Sequence, residues 1–285
     1  MSNFPSLALL AVFLTAPLCG LARADDTYTL HENLHADQKV SYAVTFDHKT
    51  KSTSTTNGVA TPTDTDTGIS WKVTMTTQEA RDGSAVRSQA AFDAASVDTS
   101  KSLLGDEVKT TCPYAGKTIG LTRHPDDSIT DDFQGNASDD DSGMLDNFIT
   151  PDQIWYPDQP VAVGDTWDNS AELAKYSSLG PKDQLISKCK LDWVKTIDGK
   201  QIAQISNSIA TIYHEDGNVE EDMEGTAIQW VDIATGIIIK VDEKETSTYS
   251  TPKTEATQVS GGTEFTFHAE VLPAATTQPV IYDGR

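Results

Sequence analysis

His31-Glu32-Asn33-Leu34-His35 is the stretch whose residue types and spacing match a defined chemistry. On a helix, histidines four apart share one face and bind zinc through imidazole nitrogens. The glutamate between them then activates a metal-bound water. This makes a zinc metallopeptidase, with His31 and His35 as ligands and Glu32 as base, the catalytic alternative. The flanks argue against a helix. Tyr28 to Leu30 and Val40 to Phe46 carry strand patterns, and in a strand His31 and Glu32 point to opposite faces. A longer zinc-peptidase signature would continue with a glycine and a third histidine, where this chain has Gln38 and Ser41. Glu79 and His124 remain as third ligands. Two surface histidines beside a strand end is the expectation.

Other chemistry has less to stand on. Asp126, Asp127, Asp131, Asp132, Asp139, Asp140 and Asp141 supply hard oxygens for calcium, but neither this run nor Asp64-Thr65-Asp66-Thr67-Gly68 has the glycine and twelfth-position glutamate of an EF-hand loop. A solvated acidic loop is expected. The sequence has no Gly-x-Ser-x-Gly elbow and no phosphate-cradling glycine loop. Asn136-Ala137-Ser138 is a glycosylation sequon. The reading is therefore a non-enzyme with no cofactor.

The compartment is read from the first residues. Met1 to Ala24 reads as a signal peptide: an apolar run, Leu7 to Leu14, leads to the small-residue site Ala22-Arg23-Ala24, followed by Asp25-Asp26. Its n-region, Met1 to Ser6, carries no Lys or Arg. Leu18 before Cys19 departs from a lipobox, which favours soluble export. A secreted or periplasmic protein starting near Asp25 is expected, with no later stretch apolar enough to span a membrane. That start leaves the His31–His35 segment without the upstream sheet that supports a zinc-peptidase helix. The net charge of −22 repels nucleic acid and anionic lipid surfaces. Removal of Cys19 leaves Cys112 and Cys189. In an exported chain these are expected to form one disulfide, whose loop closure contributes about 4 kcal/mol. Neither has a Cys/His metal spacing.

Strand signals dominate the rest of the chain. Val40, Tyr42, Val44 and Phe46 alternate with smaller or polar partners, and Ile69, Trp71, Val73 and Met75 repeat the pattern. Residues 48–68, rich in Thr, Ser, Asp and Gly, read as a long polar connection or a solvated strand edge. Asp82-Gly83 turns the chain into Ala85 to Phe92. A short strand over 117–123 and a short helix over 142–149 come next. The last third spells four long strands, 188–196, 201–213, 219–233 and 237–249, joined by short Gly-containing turns, with a further strand over 263–272. The expected fold is mainly β: a large curved antiparallel sheet, a half-barrel-like meander, with one or two short helices. Residues 25–272 form the β-rich domain, with two related β units suggested by the shared Asp-Gly turns, and 273–285 a flexible tail.

Pro157, Pro160, Val161, Val163, Gly164, Asp165 and Trp167 spell Pro-x-x-Pro-Val-x-Val-Gly-Asp-x-Trp. The segment resembles one found in bacterial secreted and envelope proteins, where it precedes a β meander with a glycine and a final Asp-x-x-Thr-Gly turn. Gly225 and Asp232 to Gly236 match that order, and the resemblance covers roughly residues 145–249. Those families are similar in outline to the lipoprotein-localisation (LolA-like) fold, a curved antiparallel sheet that binds acyl chains in its concavity. The resemblance implies such a sheet and brings no catalytic residues. Without it, the two prolines hold the chain extended, Gly164-Asp165 turns it, and Trp167 enters a core corner. The functional expectation is an exported non-catalytic protein that binds an apolar small molecule in a concave sheet. An envelope structural or interaction protein with a protein partner is the third reading.

Overall fold

The alternation at Val40–Phe46 belongs to an 18-residue strand, and that at Ile69–Met75 to a 23-residue one. The computed structural model describes residues 26–101, 106–125, 129–134, 155–175, 179–180, 183–215, 219–251 and 257–273. The leader, residues 142–149, the sequon and most of the tail lie outside these. So do Asp126, Asp127 and Asp139 to Asp141 of the acidic run.

In chain order the described strands are β1 (Thr27–Tyr28), β2 (Lys39–Thr56), β3 (Val59–Arg81), β4 (Ser84–Phe92), β5 (Val97–Lys101), β6 (Glu107–Thr111), β7 (Thr118–Arg123) and β8 (Ile129–Asp131). Then come β9 (Val161–Ala162), β10 (Thr166–Asp168), β11 (Gln184–Ile197), β12 (Lys200–Glu215), β13 (Val219–Asp232), β14 (Ile237–Ser250) and β15 (Thr257–Val271). A single short helix among the described residues, α1 (Ser170–Leu173), precedes β11. The sequence does not announce it.

The strands form one large antiparallel sheet in the order β10-β11-β12-β13-β14-β15-β2-β3-β4-β7-β8, with β5 and β6 branching from β3. It is not closed into a barrel: β10 and β8 end the main path. The last strand, β15, lies beside β2 with Val271 opposite Tyr42 and Thr257 opposite Thr56, so the N- and C-terminal meanders become one surface. Hairpins form where the sequence has Asx-Gly. Asn57-Gly58, Asp82-Gly83 and Asp198-Gly199 all adopt the paired positive φ of a type I′ turn, which matches strand twist. Of the two readings of residues 48–68, the strand holds. These residues continue β2 through Asn57-Gly58 into β3, and residues 59–65 are exposed. Polar composition made them solvated; β-branched threonines kept them extended.

The core lies in two clusters. Val44, Phe46, Ile69, Trp71, Val73, Phe92, Cys112, Tyr114, Ile119 and Leu121 form one. Trp71 sits edge-on to Phe92 and Tyr114 and donates its indole N–H to Asp98 at 3.0 Å. Leu30, Tyr156, Val161, Cys189, Leu191, Ala203, Ile205 and Val231 form the other. This separation corrects the expected disulfide. Cys112 and Cys189 are both buried and form no disulfide, one lying in each cluster. Burial pushes the Cys189 thiol up to about 12, so it stays protonated.

The Pro157–Trp167 segment folds against β11 at the edge of the sheet. Ala162 N–H donates to the Asp165 carboxylate at 2.8 Å, and Gly164 N–H to the Leu191 carbonyl at 2.7 Å. Trp167 is half-buried on the second cluster and donates to the Trp155 carbonyl at 3.2 Å. Pro157 and Pro160 lead into β9, which pairs with β1.

Two turns far apart in the chain touch the same segment. Gly83, at φ +86°, faces the Glu32 carbonyl: a Cβ there would lie 2.6 Å from that oxygen. Gly236, at φ +67°, leaves no room between its Cα and the backbone of His31 and Glu32. Gly236→Ala is therefore expected to cost several kcal/mol in urea unfolding. Gly199→Ala, also at positive φ but with open space around it, is expected to cost about 1 kcal/mol. Equal losses would show that the contact with residues 31–32 carries no stability.

Candidate functional site

Residues 29–38 have no regular secondary structure apart from one turn at 36–37. Backbone bonds hold them as a strap across one end of the sheet. Asn33 N–H donates to Thr235 O at 2.9 Å, and Leu34 N–H to Gly83 O at 2.7 Å. The Asn33 side chain adds a bond to Ala234 O at 3.2 Å. One side of the strap holds the β3–β4 turn and the other the β13–β14 turn, which Tyr156 pins from behind through a 2.7 Å bond to Gly236 O.

Burial alternates along the strap: Leu30 and Glu32 point in, His31 and Asn33 out. The Glu32 side chain is only 5% exposed and its carboxylate lies 3.8 Å from the Arg123 guanidinium of β7, itself 12% exposed. His31 and His35 are both exposed on irregular backbone, so they share no helix face. The further ligand candidates lie elsewhere: Glu79 is 3.7 Å from Arg81, and the His124 ring bonds to Thr130 at 3.0 Å. Among the described residues no three His, Cys, Asp or Glu side chains are grouped to hold a metal ion. Of the acidic run, Asp131 and Asp132 accept backbone N–H bonds from Phe133 at 2.9 Å and Gly120 at 2.6 Å.

Beneath the strap lies a cavity of about 180 Å³. Leu34 and Val40 come from the strap and the start of β2; Met75 and Leu121 from β3 and β7; Ile238, Val241 and Phe267 from β14 and β15. Glu32 and Arg123 are its charged wall. An apolar void of about 150 Å³ already accommodates a benzene-sized group, so this one takes a short apolar segment rather than a whole lipid.

The same face becomes polar farther along. In β14, Val241, Glu243, Glu245 and Ser247 share one parity and hence one face. Glu243 stands opposite Ala227 on β13 and Phe267 on β15. Burial, reinforced by the neighbouring Glu245 carboxylate, pushes Glu243 up to about 8; burial also raises Glu245, to which it hydrogen-bonds. The pair thus holds a proton at neutral pH. Ser187, Asn207, Thr211, Gln229 and Ser247 are buried polar residues of the same surface.

Of the candidate site residues named from sequence, Glu32 reaches the cavity. Arg123, Glu243 and Glu245 were missed. The available signal was polar residues at core-facing parity in β14, but parity names a face only once neighbours are known.

Neither a family model nor a curated protein matches the chain. Among solved structures it is similar to lipovitellin, studied for its lipid–protein interactions, at 10% identity and TM-score 0.45 over 86% of this chain and 26% of that one. The chain thus spans about a quarter of lipovitellin's length. It is also similar to an outer membrane channel from Pseudomonas putida F1, at 10% identity and TM-score 0.25 over 85% and 97% of the two chains. Another similar structure is a DUF1329 family protein from Desulfovibrio piger, at 8% identity and TM-score 0.14 over 82% and 86%. Overlaps this shallow carry no inference about ligand or role; the curved antiparallel sheet stands on its own topology.

The buried charges have measurable consequences. Removing one member of the Glu32–Arg123 pair takes the compensating charge from the other in a largely apolar wall. Arg123→Met is expected to cost about 3 kcal/mol in denaturant unfolding, with most of it recovered in Glu32→Gln/Arg123→Met; a double variant no more stable than the single would refute the pairing. Glu243 has a folded value near 8 against an ordinary 4.5, so the native state retains a proton that the unfolded chain has lost between those values. Its contribution to stability is full below about pH 4.5 and declines as pH rises through about 8. Unfolding curves across that range are expected to show a decline that Glu243→Gln flattens. An unchanged pH slope in the variant would show that Glu243 ionises normally.

Proposed function

We propose that the protein is an exported, non-catalytic carrier that holds the apolar part of a small molecule in the cavity beneath the strap. The observation that carries this reading is the cavity itself, an apolar hollow on the concave face of an open sheet, walled by Met75, Leu121, Val241 and Phe267. Natural interiors fill such spaces to near-crystalline density, and a void of this size forfeits contact energy unless a ligand occupies it. The leader-like residues 1–24 support export to a secreted or periplasmic location. The sequence resemblance to envelope proteins with an acyl-binding outline points the same way. A peptidase is disfavoured by the outward histidines and by the Arg123 partner of Glu32, which leaves that carboxylate poorly placed to activate a water.

The test uses N-phenyl-1-naphthylamine, a neutral apolar dye that fluoresces on entering a dry site. Saturable binding is expected with the wild-type protein. Ala269→Phe places a ring in the cavity from a lining position and is expected to weaken binding by at least about tenfold with an unchanged circular dichroism spectrum. Absence of saturable binding to the wild type, or full binding by the variant, would remove the reading.

A further inference from the structure

Beyond the cavity the same face carries the Glu243 and Glu245 carboxyls, the Asn207 and Gln229 amides and the hydroxyls of Ser187, Thr211 and Ser247. Register places its members together. Asn207 of β12 faces Ala227 of β13, which faces Glu243 of β14; one pair along, Ile209 faces Gly225, which faces Glu245. Gln229 lies two residues from Ala227 on the same face, opposite Val241. The small residues of β13 leave a hollow between the flanking strands. Glu245 leans into it: a Cβ on Gly225 would sit 2.7 Å from its Cγ and 3.2 Å from its Oε1.

Two amides on this face carry unsatisfied acceptors. Asn207 donates its Nδ2 to Ser187 Oγ at 2.8 Å and to Cys189 Sγ at 3.1 Å, which turns Oδ1 away from β11. Asn207 Oδ1 and Gln229 Oε1 accept no hydrogen bond among the described residues, in side chains belonging to residues 4% and 3% exposed. Leaving such groups without a donor opposes folding. No described lysine or arginine faces the hollow. Lys240 and Lys244 have the opposite parity and pair with Asp242 and Glu264, while Arg123 is held by Glu32. The other titratable groups on this face are Tyr213 of β12, Glu221 of β13, Tyr249 of β14 and Cys189 of β11, with Asp183 beside Tyr213 and His48 of β2 beyond Phe265.

We infer that Glu243, Glu245, Asn207 and Gln229 form the head-group site for an amine-bearing amphiphile whose apolar portion lies in the cavity beneath the strap, an inference that rests on the carrier reading above. An ammonium has three donors and no acceptor, the complement of two carboxyls and two unsatisfied amide oxygens. A carboxylate or phosphate head would bring like charge to the Glu243–Glu245 pair and leave the Asn207 and Gln229 oxygens without a donor. A hydroxyl would supply one donor. The spacing suits a single molecule: Glu243 lies two residues beyond Val241 and directly across from Phe267, both cavity walls, so head and chain sites are about 7 Å apart. Binding is an exchange: the protonated carboxyl of the pair releases its proton to solvent as the ammonium arrives, leaving a carboxylate–ammonium contact with all atoms accounted for.

The test is displacement of N-phenyl-1-naphthylamine by dodecylamine, dodecanol and dodecanoate at submicellar concentration, with calorimetry in buffers of different ionisation enthalpy. Dodecylamine is expected to displace the dye at a concentration lower than dodecanol by about tenfold or more, with dodecanoate weakest and with proton release on amine binding. In Glu243→Gln/Glu245→Gln the amine preference and proton release are expected to vanish while dodecanol binding is unchanged. Amine and alcohol binding equally to the wild type would overturn the inference. So would a preference that survives in the double variant, since attraction to the acidic surface as a whole predicts that result. Failure of all three compounds to displace the dye would instead count against the cavity as the site of the apolar portion.

Discussion

A sheet that is curved but not closed must hold its curvature by something other than its own ladder. Here that constraint falls on residues 29–38. Two backbone bonds, Asn33 to Thr235 and Leu34 to Gly83, tie together hairpin turns from the two meanders. The β15–β2 pairing also joins those meanders, within the sheet. With one link in the sheet and one across its mouth, the concavity has a fixed span. The glycines at 83 and 236 are part of this device, because any side chain there would push the strap away from the turns that hold it.

The strap explains why a motif with catalytic spacing is not organised for catalysis. Its alternation sends Glu32 inward and His31 outward, so the three residues that a zinc site would gather are divided between the interior and solvent. Glu32 then meets Arg123, and the two make a charged boundary at the strap end of an otherwise apolar hollow. The disposition of the cysteines has the same architectural origin. Each fills a separate core cluster, and burial suppresses ionisation of Cys189.

The inner face changes character along its length. Near β2, β3 and β7 it is aromatic and aliphatic; across β11 to β14 it carries Ser187, Asn207, Gln229, Glu243 and Glu245. Burying such groups opposes folding unless donors are supplied. On the proposed carrier reading, their placement beside the cavity serves a bound molecule rather than stability alone.

Much of the architecture was legible in the chain. Period-two runs in β2 and β3 announced strands, because half-burial imposes alternation on any sequence that folds this way, and short Gly-containing turns marked out β11 to β14. Asp82-Gly83 and Asp198-Gly199 announced hairpins, because few other residues tolerate two successive positive φ values. Alternation says that two faces differ; it does not say which distant strand lies opposite. The β15–β2 seam, the Glu32–Arg123 pair and the gathering of Asn207, Gln229, Glu243 and Glu245 therefore belonged to tertiary structure alone. The same limit applies to His31–His35. Local spacing is compatible with a helix, and only the bonds to Gly83 and Thr235, both remote in the chain, decided that the segment is an extended strap.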